Sequence, residues 1–94
     1  MIKTFADRHT LTFWETGKSK GMPPANLRKK SMQSLLMLDA ATALKDLEVP
    51  PGNRLEALKG DRSGEHSIRI NDQFRVCFRW KNNDAYDVEI VDYH

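Results

Sequence analysis

Cysteine is nearly absent from this chain: Cys77 is the only one in 94 residues. An internal disulfide is therefore excluded, and the expected setting is a reducing cytoplasm. Long apolar runs are missing as well. The longest, Leu35-Leu36-Met37-Leu38, is far below the ~20 residues that cross a bilayer as a helix. The opening Met1-Ile2-Lys3-Thr4-Phe5 has no apolar stretch of the kind a secretory signal carries. Three histidines without matching cysteine or carboxylate spacing offer no metal site, and no cofactor motif is present. Repeats and low-complexity segments are also lacking. What remains is 39% hydrophobic and 30% charged, the balance of a chain that folds rather than one that stays disordered. The length suits one domain spanning residues 1–94.

Basic residues are absent from the last stretch, which changes the meaning of a net charge of only +2. Residues 1–51 carry eight Lys/Arg against five Asp/Glu, and residues 52–81 carry seven against four. Residues 82–94 carry four acids and no Lys or Arg. A cationic body thus precedes an acidic final strand. Such a body permits a polyanionic partner without demanding one.

The order of elements follows from punctuation and period. Met1 to Phe5 alternates weakly and predicts a first strand with Ile2 and Phe5 inward. Asp7 can cap a helix that runs to Thr16 and is closed by Gly17, with the apolar Leu11 and Trp14 on one face of it at i, i+3. After Pro23-Pro24, the positions Leu27, Ser31, Ser34, Leu35 and Leu38 form a helical stripe. Ala40, Ala43, Leu44 and Leu47 extend it into a second or bent helix, stopped by Val49-Pro50-Pro51-Gly52. Period-two alternation then appears in three successive segments: His66, Ile68 and Ile70; Phe74, Val76, Phe78 and Trp80; Tyr86, Val88 and Ile90. The predicted class is α+β, an N-terminal strand and helices packed on one face of a mainly antiparallel sheet.

Register turns this alternation into chemistry. A three-residue loop that places Ile70 opposite Phe74 matches the apolar faces, whereas a two-residue loop turns one set outward. Arg69 then sits opposite Arg75, and Glu65 opposite Arg79. Matching Val76 with Ile90 places Arg75 opposite Val91, with Tyr93 diagonal on the same face. Two arginines directly across a strand pair repel and call for an anion. Arg69, Arg75 and Tyr93 therefore predict a phosphate-sized site on the face away from the helices. Arg79 is expected to pair with Glu65 or Asp87, His66 to be a hydrogen-bonded histidine that is buried or half-buried, and Trp14 and Trp80 to belong to the core. Nothing near Cys77 looks like a base dedicated to activating a thiol.

Three stretches carry a family resemblance: 54–64 (Arg-Leu-Glu-Ala-Leu-Lys-Gly-Asp-Arg-Ser-Gly), 67–80 (Ser-Ile-Arg-Ile-Asn-Asp-Gln-Phe-Arg-Val-Cys-Phe-Arg-Trp) and the ending Val91-Asp92-Tyr93-His94. The chain resembles the HigB toxins of the RelE/ParE superfamily, in the branch that includes the GraT-type toxins of type II toxin–antitoxin systems. The resemblance implies a RelE/ParE-like fold and a ribosome-dependent endoribonuclease that cuts mRNA in the ribosomal A site. It further implies neutralisation by a HigA-type helix-turn-helix antitoxin, whose complex with the toxin binds operator DNA. On matching positions, Lys59 and Arg75 fall on basic active-site positions, and Asp92, Tyr93 and His94 on the catalytic end. Glu56 stands where a related toxin has a catalytic histidine; a carboxylate can accept a proton but cannot donate as an imidazolium does.

The residue types suit that chemistry in their own right. RNA supplies its own nucleophile, the 2′-OH, so neither a metal nor a covalent enzyme group is required. Arg75, with Lys59, Arg69 and Arg62, would bind and neutralise the phosphate. Tyr93 can stack or orient a base, and an imidazole such as that of His94 titrates near neutrality. The competing readings are a ParE-like gyrase poison and a ribosome- or RNA-binding module without catalysis.

Overall fold

The computed structural model describes residues 1–93. Helix α1 spans Arg8–Thr16, α2 Arg28–Ala40, and four strands follow: β1 Glu56–Ala57, β2 His66–Arg69, β3 Phe74–Lys81 and β4 Asp84–Asp92. The strands form one antiparallel sheet in the order β1-β2-β3-β4. Both helices contact β4, and the core of Phe13, Leu35, Leu38, Ile68, Val76, Phe78 and Val88 lies between helices and sheet. The α+β arrangement is the predicted one.

Helix α1 begins and ends where its capping residues stand. The Asp7 carboxylate accepts from the Thr10 N–H at 2.9 Å, and Gly17, at φ 73°, donates its N–H to the Phe13 carbonyl. Its buried face differs from the apolar one predicted. Leu11 is exposed, and Thr10 and Phe13 are buried instead. The reason is a bond that hydrophobicity does not register: the Ile90 N–H of β4 donates to the Thr10 hydroxyl at 3.0 Å.

That bond completes the outer edge of β4. The expected first strand is reduced to two isolated parallel bridges, Ile2 with Ala85 and Phe5 with Val88. Through them the Ala85 and Val88 N–H groups donate to the Met1 and Thr4 carbonyls. The Asp87 N–H goes to the Thr4 hydroxyl. A buried N–H without an acceptor is costly, and Thr10 supplies the acceptor beyond the reach of the N-terminal segment.

Two more expectations are corrected. Helix α2 does not continue past Ala40; a five-residue 3-10 turn, Leu44–Glu48, follows and buries only Leu47. Asp46 accepts the Thr42 and Ala43 N–H groups, an arrangement that starts a new turn rather than extends the old one. Tyr86 does not share a face with Val88. The β3–β4 register shifts between Cys77, opposite Glu89, and Arg79, opposite Tyr86. Two β4 residues, Asp87 and Val88, thus face Phe78. Asp87 takes φ 52° to make this bulge, so Ala85 and Val88 both point inward and Tyr86 turns away. Asn82 and Asn83, both at positive φ, form the tight turn that joins β3 to β4.

The face of the sheet away from the helices is partly sealed. Ser67 and Cys77 are fully buried there, and Leu58 nearly so. Arg62 anchors the covering loop, reaching Glu65 at 3.1 Å and Glu89 at 2.8 Å. The hydrogen bond to Glu89 raises the Arg62 pKa further above its already high ordinary value. Arg79 pairs with Asp87 at 3.5 Å, one of its two expected partners. Burial pushes the Cys77 thiol up from 9.0 to about 11.

Two outcomes follow from these contacts. Thr10→Val leaves the Ile90 N–H buried and unbonded, and urea unfolding should show a loss of about 1–3 kcal/mol. For Cys77, folding favours the neutral thiol, so its contribution is complete below pH 9 and declines toward pH 11, where only the unfolded chain has released the proton. Unfolding free energy measured across that window should fall less steeply in Cys77→Ala than in the wild type.

Candidate active site

The open part of the outer face is built by the predicted register. Arg69 lies directly opposite Arg75, Arg75 opposite Val91, and Val76 opposite Ile90. The turn that sets this register is fixed by Asn71, whose side-chain oxygen accepts the N–H groups of Gln73 and Phe74 at 2.9 and 2.7 Å. Gln73 then secures the end of the chain. Its carbonyl accepts the Tyr93 N–H at 2.7 Å, and its side-chain amide donates to Asp92 at 3.0 Å. Tyr93 is thereby held beside β3, with the Arg75 guanidinium carbon 5.7 Å from its ring centre, within cation–π range.

Arg75 is the most constrained group at the site, its side chain only 11% exposed. Its Nε donates to the Ser67 hydroxyl at 2.7 Å, and one terminal nitrogen, Nη2, donates to the Arg54 carbonyl at 2.6 Å. The same nitrogen stands 3.7 Å from the Glu56 carboxylate. The other terminal nitrogen, Nη1, takes no hydrogen bond among the described residues. Arg69 is balanced by Asp72, a pair in which the carboxylate is 97% exposed and so contributes little against water. The repulsion expected between the two arginines is thus relieved by a carboxylate on each, together with the tyrosine ring.

Arg54, Arg69, Asn71, Asp72, Arg75 and Tyr93 enclose an open pocket of about 310 Å³. Three guanidiniums against one lining carboxylate give it an excess of positive charge. Of the residues expected at an active site, the structure brings Arg69, Arg75 and Tyr93 to this pocket. Glu56 stands beside Arg75 on the edge strand β1, opposite Ser67, and does not itself line the pocket. Asp92 is at the end of β4, opposite Phe74 and bonded to Gln73. Lys59 is exposed and does not line the pocket; it follows β1 and precedes the 3-10 turn Gly60–Arg62. Arg62 is engaged by its two glutamates and belongs to the sealed half. His94 lies outside the described residues.

Two contributors were not singled out by sequence. Ser67 has the parity of the outer face and sits diagonal to Arg75, so the register contained the signal, although a serine between His66 and Ile68 carries no pattern of its own. Arg54 has no such signal. It is placed by Asn53, whose buried side-chain amide donates to the Leu47 carbonyl, and by a left-handed backbone at φ 46°, ψ 55°.

Known proteins match this chain along nearly its whole length. The family described as RelE-like toxin of type II toxin–antitoxin system HigB matches residues 3–94. Toxin HigB-1 of Vibrio cholerae is 40% identical over 85 residues, covering 90% of each chain. Endoribonuclease HigB of Proteus vulgaris is 33% identical over 94 residues and the full length of both. Among solved structures, the YoeB–YefM complex from Staphylococcus aureus aligns with 100% of this chain and 98% of its own, at a TM-score of 0.61 and 17% identity, a likeness of fold. By the extent of these matches, the chain belongs to the HigB family of RelE-like toxins of type II toxin–antitoxin systems.

Proposed function

We propose that this protein is an endoribonuclease toxin that cuts mRNA in the ribosomal A site and is held inactive by a HigA-type helix-turn-helix antitoxin. The observation that carries the reading is the Arg75 guanidinium, fixed on two sides and lying over the Tyr93 ring in an arginine-lined pocket. The name of the Proteus vulgaris relative supports the activity. A ribosomal target places the toxin in the cytoplasm. No helix among the described residues is long and apolar enough to cross a membrane. Operator DNA is reached only through the antitoxin complex.

The reaction is internal transesterification. The 2′-OH attacks the neighbouring phosphorus, the bond to the 5′-oxygen breaks, and a 2′,3′-cyclic phosphate remains. Arg75 and Arg69 bind the non-bridging oxygens and stabilise the extra negative charge of the phosphorane, a role in which fixed donors outperform mobile ones. Glu56, beside Arg75, takes the 2′-OH proton. His94 gives a proton to the leaving oxygen, with Asp92 orienting the chain end. Tyr93 stacks against a base and keeps it in register with the phosphate. Lys59 adds positive charge along the RNA path beyond the pocket. Arg62 serves the site indirectly, through the loop it anchors.

Primer extension on a translated message tests this reading. Arg75→Ala should lower single-turnover cleavage by about 100-fold, the usual cost of one transition-state donor. Tyr93→Ala and His94→Ala should abolish growth inhibition with the fold intact by circular dichroism. Ser67→Ala should cost about 10- to 100-fold in rate, because it removes one hydrogen bond to a charged group, worth roughly 1.5–3 kcal/mol. Wild-type toxicity without any cut in ribosome-occupied codons would transfer the assignment to gyrase poisoning or to binding without catalysis.

A further inference from the structure

Arg54 combines three properties that the fold alone does not account for. Its backbone is in the left-handed region, where a side chain is strained and glycine or asparagine is cheaper. Its carbonyl is turned by that conformation onto Arg75, 2.6 Å from the terminal nitrogen. Glycine could present the same carbonyl without the strain. The arginine side chain is exposed, lines the pocket, and makes no hydrogen bond or ion pair among the described residues. With no such partner, that side chain is available to the pocket it lines.

The size and charge of that pocket indicate what it takes. A volume of about 310 Å³ is at the lower end for organic ligands and larger than one phosphate group needs. Arg69 is balanced by Asp72 and Arg75 is tied to Ser67 and the Arg54 carbonyl. Arg54 is thus the lining cation left without a partner among the described residues, on the β1 side of the pocket that Tyr93 also lines. We infer that Arg54 is a further RNA-binding residue of this site, its guanidinium holding the phosphate adjacent to the scissile one so that a whole nucleotide is gripped between Arg54 and Tyr93. This inference rests on the endoribonuclease reading and adds a residue to it. A phosphate contact of this kind gives affinity and positions the strand, without reading sequence.

Three variants separate the side chain from the carbonyl. Arg54→Gly and Arg54→Asn suit the left-handed backbone and keep the carbonyl on Arg75, while Arg54→Lys keeps the charge. Single-turnover cleavage on programmed ribosomes gives the half-saturating concentration and the saturating rate separately. Binding is measured with an uncleavable 2′-O-methyl message in the A site and with the A site empty, across a range of salt. Arg54→Gly and Arg54→Asn should raise the half-saturating concentration about tenfold, with a much smaller fall in saturating rate, and melt no lower than wild type. Their salt dependence should be shallower by about 0.7, the release from one single-strand phosphate contact, and Arg54→Lys should recover most of the loss.

Wild-type half-saturation in Arg54→Gly overturns the inference. So does a loss confined to the saturating rate, which would assign Arg54 to positioning Arg75. An equal loss of binding with an empty A site overturns it too, because the contact would then be to ribosomal RNA. A wild-type protein that cuts no message defeats the endoribonuclease reading instead, and the 2′-O-methyl binding arm still reads the Arg54 contact.

Discussion

The repulsion between Arg69 and Arg75, set directly opposite each other on adjacent strands, is the constraint around which the functional end of this molecule is arranged. Each guanidinium needs a counterweight, and each has a different one. Arg69 has a carboxylate on a turn, almost wholly in water, that an incoming phosphate can replace at small cost. Arg75 has a serine hydroxyl, a main-chain carbonyl, a glutamate and a tyrosine ring. These fix its direction and leave one terminal nitrogen without a hydrogen bond among the described residues. The pair therefore combines a loosely balanced cation that can exchange partners with a rigid one that cannot turn aside. In the proposed reaction that rigidity would suit Arg75 to stabilise the transition state, since a fixed dipole spends nothing on reorientation when charge develops.

The sheet's outer face divides accordingly into two halves. In one, Arg62, Glu65 and Glu89 close over Cys77 and Ser67 with Leu58. In the other, the arginines stand open around the pocket. Ser67 belongs to both: its body is buried under the loop and its hydroxyl holds Arg75. An arginine in the Gly60–Arg62 turn can thus serve the site without reaching the substrate. Two basic residues of the same loop, Lys59 and Arg62, consequently have unlike surroundings despite similar positions in the chain.

Much of this was legible because it depends on local rules. Asp7 and Gly17 delimit α1 by capping chemistry alone, and the alternation of Ile68, Ile70, Phe74 and Val76 fixes both the hairpin and the opposition of Arg69 to Arg75. The misreadings share a cause. Thr10 turns inward to satisfy a strand N–H that apolar periodicity cannot see. Tyr86 turns outward because a bulge at Asp87 changes parity, and a bulge with aspartate at positive φ has no fixed spelling. The helix expected beyond Ala40 is stopped by Asp46, whose caps compete with helix continuation. Within the site, Tyr93 and Arg75 followed from register, whereas Arg54 depends on a loop conformation held by the buried Asn53 amide, and Glu56 takes its place beside Arg75 through a two-residue edge strand too short to show a period.

Cys77 shares a strand with Arg75, two positions away, beneath the sealed half of the sheet. Its thiol is protonated and enclosed at neutral pH, so a small alkylating reagent has to wait for the cover to lift. The rate of labelling is then a clock for breathing of the Leu58–Arg62 loop, read from a single native atom without an introduced probe. Because the same loop shelters the hydroxyl that aims Arg75, that clock also measures how often the toxin loses and regains its aim.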